Sequence, residues 1–225
     1  LTLFNIRSPL LMEKLFLYLC MNSSEIFSAN TAAKELENVS VGTVESYIEG
    51  LEMSNLIYLA KPMKVGSKGA LKGKPKIFIA DAAIRNAVLM IDDVLSDEHE
   101  LGIMVETAVY KHMVSFYQGS PAQLGYFRKF KDNQKEVDVV VQLPREEILC
   151  EVKYRNNSHI PVSDAIVELC QDEAAKVTSA FLITKRLDDF GITKHETRTP
   201  ILRVPALAFL YLLGKAEAAG CNGKL

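Results

Sequence analysis

Cysteine and histidine are few and scattered. Cys20, Cys150, Cys170 and Cys221 contain no CxxC, and His99, His112, His159 and His195 form no HExxH. The common zinc spacings are therefore excluded, and unpaired thiols fit a reducing cytoplasm, which is the expected location. Long apolar runs are missing too. The two most hydrophobic stretches, residues 10–21 and 201–213, are interrupted by Glu13, Lys14, Arg203 and Pro205. Both are too short to span a bilayer, and the earlier one lacks the basic lead-in and small-residue cleavage site of a secretory signal. Nor is positive charge in excess. Lys+Arg 26 against Asp+Glu 28 leaves −2, so no global field draws the chain to nucleic acid or anionic lipid.

What is present is enough for a sizeable core. The 225 residues are 48% hydrophobic and 24% charged, which excludes wholesale disorder and allows one large domain or two modest ones. The chain opens at Leu1, almost directly in an apolar helix, so a fragment of something longer is expected. Local charge tells more than the total. Lys61, Lys64, Lys68, Lys72, Lys74 and Lys76 lie together without an acid among them. Asp92, Asp93, Asp97, Glu98, Glu100 and Glu106 follow without a Lys or Arg. This reversal suggests two units, residues 1–95 and 96–225, joined near 81–100.

In the first unit, Ser8-Pro9 is a good N-cap and first-turn pair for a helix to about Met21. A short helix is expected over 31–37. Ser40 can cap a third whose Val44, Ile48 and Leu51 share a face, with Asn55 as its stop. Residues 56–61 and 76–80 read as strands around a glycine-punctuated basic loop. Three helices and a hairpin is the order of a winged helix. The third helix carries Glu45, Glu49 and Glu52 and no base, so Lys64, Lys68, Lys72 and Lys74 are the better phosphate contacts. A merely soluble loop is the even alternative. Gly69–Pro75 fails as a P-loop, because its second glycine comes one residue early and Pro75 replaces the Mg²⁺-binding hydroxyl. No ATP site is legible.

The second unit reads as a helix near 81–90, a long helix over 101–117, and strands near 124–130, 136–143 and 148–154. A helix over 162–176, a strand over 178–184 and a last strand turning into a helix at Pro205 complete a mixed α/β sheet. In the long helix, Leu101, Met104, Val105, Ala108 and Phe116 form the expected apolar stripe. Glu106 is at its flank and His112 close enough to pack. Tyr126 to Lys131 interleave aromatics with bases, which suits either a nucleic-acid surface or a half-buried strand.

The informative segment is the hairpin from Glu136 to Tyr154. A turn symmetric about Pro144-Arg145 makes paired positions sum to 289, with Asp138 opposite Glu151 and Glu136 opposite Lys153. Alternation places Val137, Val139, Val141, Cys150, Val152 and Tyr154 on one face and Glu136, Asp138, Glu151 and Lys153 on the other. Opposed carboxylates repel unless protonated, screened or bridged by a cation. A third from a helix would make −3, which one divalent ion and the Lys153 ammonium neutralise. Oxygen ligands suit Mg²⁺ or Mn²⁺, which can activate water at a phosphodiester. The plain alternative is a solvated strand face with a Glu136–Lys153 ion pair contributing roughly 0.2–1 kcal/mol.

Asp138 followed by Glu151-Val152-Lys153 on the next strand resembles the PD-(D/E)XK nuclease signature, although Val137 stands where the leading Pro belongs. Phe78-Ile79-Ala80-Asp81, Gly102 to Glu106, Lys135 to Asp138 and Cys150 to Lys153 also fall in the order of one group. That group is the C-terminal region, domain of unknown function 4143, of AAA-type ATPases. The resemblance implies a winged helix followed by a restriction-endonuclease-like mixed sheet flanked by helices. It implies Glu106, Asp138 and Glu151 as metal ligands for Mg²⁺ or Mn²⁺, with Lys153 catalytic beside Asp138 and Glu151. DNA would be the partner, and ATP would enter only through an ATPase domain upstream of Leu1. The expected function is a Mg²⁺-dependent DNA phosphodiesterase, or else a non-catalytic module that binds nucleic acid or protein for that ATPase. Asp164, Glu168, Gln171 and Lys176 are equivalent candidates for a supporting polar residue on the next helix.

Overall fold

Ser8 accepts the Leu11 N–H at 3.3 Å and Pro9 needs no donor partner, so helix α1 (Pro9–Met21) starts where the sequence indicates. The computed structural model describes residues 6–37, 39–66, 73–129 and 135–221. Lys68 and Lys72, like Phe130 and Lys131, lie outside them. Helices α2 (Ala29–Glu35) and α3 (Val41–Met53) follow, the second capped by Ser40 on the Thr43 N–H at 3.1 Å. Asn55 ends this region at φ 55°, a left-handed conformation that asparagine tolerates. Strands β1 (Ile57–Pro62) and β2 (Lys76–Ile79) form the expected antiparallel hairpin.

Asp81 caps helix α4 (Ala82–Val88) on the Ala83 N–H at 2.8 Å. A 3-10 turn (Val94–Ser96) leads to α5 (Glu98–Phe116), capped by Asp97. Then come β3 (Gln123–Arg128), β4 (Glu136–Gln142), β5 (Glu147–Lys153), α6 (Ala165–Gln171), β6 (Val177–Thr184), β7 (Gly191–Ile192), β8 (Ile201–Pro205) and α7 (Ala206–Ala218). Helix α6 is shorter than its sequence suggests, because Asp164 caps it late on the Ile166 N–H and Asp172 ends it. Strand β7 has two residues, too few for any periodicity to show.

The result is a mixed α/β fold, mostly helical toward the N-terminus, with an eight-stranded sheet in the order β2-β1-β3-β4-β5-β6-β8-β7. Strands β3, β4 and β5 run antiparallel, whereas β5, β6 and β8 are parallel. Strand β1 joins β3 in parallel through Lys61↔Gly125 and Pro62↔Tyr126, so the sheet draws strands from both sides of the charge reversal.

Three apolar clusters hold these layers. Leu15, Leu19, Val44 and Leu51 pack on Ile77 and Ile79. On one sheet face, Tyr110, Met113, Phe116, Phe209 and Leu213 of α5 and α7 cover Val139, Val141, Ile148 and Cys150. On the other, Ile166, Val167 and Cys170 of α6 cover Val137, Val140 and Leu149. Strand β2 is buried on both sides: Ile77 and Ile79 enter the first cluster, while Phe78 stacks on Tyr110 at 4.5 Å. No described helix is long and apolar enough to cross a membrane.

Two details of α5 differ from the sequence reading. Its buried residues are Ile103, Thr107, Val109, Tyr110, Met113 and Phe116, not the Leu101–Met104–Val105–Ala108 stripe. Thr107 lies on the hidden face with its hydroxyl unpartnered, so counting apolar residues misplaced that face. His112 is exposed rather than packed.

Cys20, Cys150 and Cys170 are buried and Cys221 is exposed. Burial, the largest influence on each, pushes the Cys20 thiol to about 11 and Cys170 to about 12. A thiol reagent should therefore titrate one cysteine quickly in the native protein and four after denaturation. A second fast thiol would contradict this packing.

Candidate functional site

The β4–β5 hairpin has the register its turn implies. Gln142 faces Glu147 and Val139 faces Cys150, each pair summing to 289. One step further, the ladder gives way to a side chain: the Val152 N–H donates to Asp138 Oδ2 at 2.8 Å. On the opposite edge of β4, Gly125↔Val140 and Phe127↔Val137 match two steps on β3 to three on β4. The extra residue is a β-bulge at 138–139, a device that re-aims side chains beside functional sites.

The bulge corrects the face assignment. Val137 packs with Val140 and Leu149 on the α6 side, away from Val139 and Val141. Glu136 and Asp138 line a cleft of about 370 Å³ together with Lys76, Glu106, Arg128 and Lys153. Strict period-two alternation cannot survive an inserted residue. For the same reason Glu136 does not pair with Lys153. Its partners are Lys76 and, at 3.7 Å, Arg128, while Lys153 pairs with Glu151.

Lys76 is the cleft residue that sequence reasoning missed, having grouped it with the basic loop. Its side chain is 6% exposed, and Nζ lies 3.0 Å from Glu106 Oε1 and 3.6 Å from Asp138 Oδ1, with Glu136 as a third partner. Burial works against its charge, but Glu106, Asp138 and Glu136 prevail and hold the ammonium well above its ordinary value. A signal was available. Lys76 and Phe78 share a strand face, and Phe78 is apolar enough to face the core.

Glu106 does reach the cleft, from α5, but its carboxylate accepts from Lys76. Burial raises its pKa to about 7, with Lys76 opposing and Asp138 and Glu136 adding to the rise. Glu151 is raised well above the carboxyl range, first by burial and then by Asp138, so those two acids sense each other. Its Oε1 is bonded to Lys153, while its buried Oε2 has no partner. Lys153 stays charged: burial lowers its pKa, but Glu151 and Asp138 raise it further. Among the described residues no three His, Cys, Asp or Glu side chains group closely enough to hold a metal by themselves.

The α6 candidates separate. Asp164 acts electrostatically on Glu151 and Lys153 from the helix N-cap, whereas Glu168 is engaged by Lys129 and Lys135. Lys64 and Lys74 are exposed.

Known proteins add family matches but no activity. No curated protein matches the sequence. Residues 1–95 match a family model described as a domain of unknown function, DUF8612. Residues 101–204, which include Glu106, Asp138, Glu151 and Lys153, match another, the domain of unknown function DUF4143.

Proposed function

We propose that the chain is a winged helix followed by a restriction-endonuclease-like domain, the C-terminal module of an AAA-type ATPase, carrying a Mg²⁺- or Mn²⁺-dependent DNA phosphodiesterase site. One observation carries this reading. The Asp138 carboxylate emerges at the bulge beside Glu151, with Lys153 two residues further on the same strand. The element order α5-β3-β4-β5-α6-β6, antiparallel to β5 and then parallel to β6, supports the nuclease-like fold.

The residues fit a hard divalent ion. Mg²⁺ keeps several waters and is usually bound through one or two carboxylates plus substrate phosphate, so a closed cage is not required. Asp138 and Glu151 would hold it, and the buried, unpartnered Glu151 Oε2 is the oxygen that a ligand would satisfy. When bound, such an ion supplies Lewis-acid stabilisation and an acidified water. The chain's own part is positional and electrostatic. Lys153, kept charged by Glu151 and Asp138, orients the attacking water and offsets charge growing on the phosphate. Exposed Lys64 and Lys74 take backbone phosphates, and Lys68 and Lys72 belong to the same basic loop. ATP would act only through a domain outside this chain.

Linear, circular and single-stranded DNA incubated with Mg²⁺ or Mn²⁺ test the proposal. The wild-type chain should cut, and Lys153→Ala should lose about 10²–10⁴-fold in rate. Asp138→Ala should also fail, and cutting that survives both substitutions would refute the site. A second reading, a binding module without catalysis, is favoured by the Lys76–Glu106 bond, which engages the expected third ligand. Salt-sensitive DNA binding without cutting would establish it.

A further inference from the structure

Lys76 stands where a cation is wanted, and it comes from the wrong part of the chain to be a nuclease residue. Its three acidic partners lie on α5 and β4, whereas Lys76 belongs to β2 of the N-terminal hairpin. Charge explains why this matters. The Glu106, Glu136 and Asp138 carboxylates converge on Lys76 Nζ, so the ammonium already occupies the place between Glu106 and Asp138 that a bound cation would take. Without Lys76 these three acids lose the cation they share.

We propose that Lys76 is a built-in counter-ion that competes with a divalent cation for Asp138, so that metal loading must displace the Lys76 ammonium from that carboxylate. This rests on the Asp138–Glu151 metal reading and adds its regulation. The hairpin fixes the lysine there: β1 pairs with β3 at two positions, and the Met63 N–H donates to Tyr126 O and the Tyr126 hydroxyl to Lys74 O, both at 2.7 Å. The Gln142 side-chain amide donates to Lys64 O, the Gly66 N–H donates to the Glu147 carboxylate, and Met63 and Phe78 are buried in the core. The Tyr126 ring also lies 5.8 Å from Lys76 Nζ, so one β3 residue touches both the strand and its charge.

Mn²⁺ binding to the intact chain, read by electron paramagnetic resonance, tests this without any nuclease assay. Lys76→Met and Lys76→Gln should bind Mn²⁺ at least about tenfold more tightly than wild type, since a unit charge beside a divalent ion is strongly repulsive at such separations. Lys76→Arg should behave as wild type, and Asp138→Asn should remove the gain. In the unaltered protein, Mn²⁺ should speed acetylation of Lys76, mapped by mass spectrometry. This second measurement decides the matter if the neutral variants do not fold. Equal Mn²⁺ affinity in wild type and Lys76→Met, or Lys76 acetylation unchanged at saturating Mn²⁺, overturns the inference while Asp138-dependent binding keeps the metal site. Absence of Asp138-dependent Mn²⁺ binding in every variant overturns the site itself, and the inference with it.

Discussion

Gly125→Ala should cost about 3 kcal/mol or more of stability, a large loss for adding one methyl group. A Cβ at this position would stand 2.0 Å from the Lys61 carbonyl oxygen and 2.6 Å from Met63 Cγ. The oxygen belongs to the β1 backbone, so no rotamer change relieves the clash. The strand itself must move, and Lys61↔Gly125 is one of only two paired positions joining β1 to β3. Because β2 hangs on β1, the same change should also draw Lys76 away from Glu106 and Asp138. Gly214→Ala is the control. It lies in α7 with no atom within 4 Å of the added Cβ, and should gain up to about 1 kcal/mol from helix propensity. Urea denaturation of both variants measures the contrast, and a Gly125→Ala protein as stable as wild type would disprove the close approach.

Lys76→Met should remove about 3–5 kcal/mol near pH 8, because breaking a buried ion pair strands the partner charges. Here Glu106, Glu136 and Asp138 lose a shared ammonium. The loss should shrink toward pH 5 as Glu106 takes up a proton. The sign follows from Glu106, whose folded pKa of about 7 lies above its ordinary 4.5, with burial as the main cause. Such a group contributes its full stability below about pH 4.5 and loses it as the pH rises through about 7. Lys76 is what holds that value down, so without it the loss continues to higher pH. Glu106→Gln removes this component, and its stability should fall less than that of wild type between pH 4.5 and 7. Glu151 shifts in the same direction and keeps part of the slope. Denaturation midpoints from pH 4 to 8 provide the test, and parallel profiles for wild type and Glu106→Gln would contradict the buried, shifted carboxyl.

These two predictions concern contacts between residues distant in sequence. The local features needed no such contact. Ser8, Ser40 and Asp81 mark helix starts because their oxygens satisfy N–H groups two or three residues on. The β4–β5 register followed from a symmetric turn and two β-branched runs, which leave little freedom to slip without exposing valines.

The acidic cleft was only half legible. Asp138 and Lys153 reach the cleft because one hairpin carries both and hairpin pairing is local, while the buried Glu151 carboxylate is bonded to Lys153. The bulge that turns Asp138 arises from packing against β3, where Gly125 lets a distant strand approach. Glu106 faces the cleft because α5 packs on the sheet beside α7, a choice its own periodicity misstates by admitting a buried Thr107. Lys76 gives the clearest division. Short-range chemistry made it one more base in a lysine-rich loop, whereas pairing between β1 and β3 buried it among three acids. Charges contributed by separate elements acquire their partners only when the sheet closes.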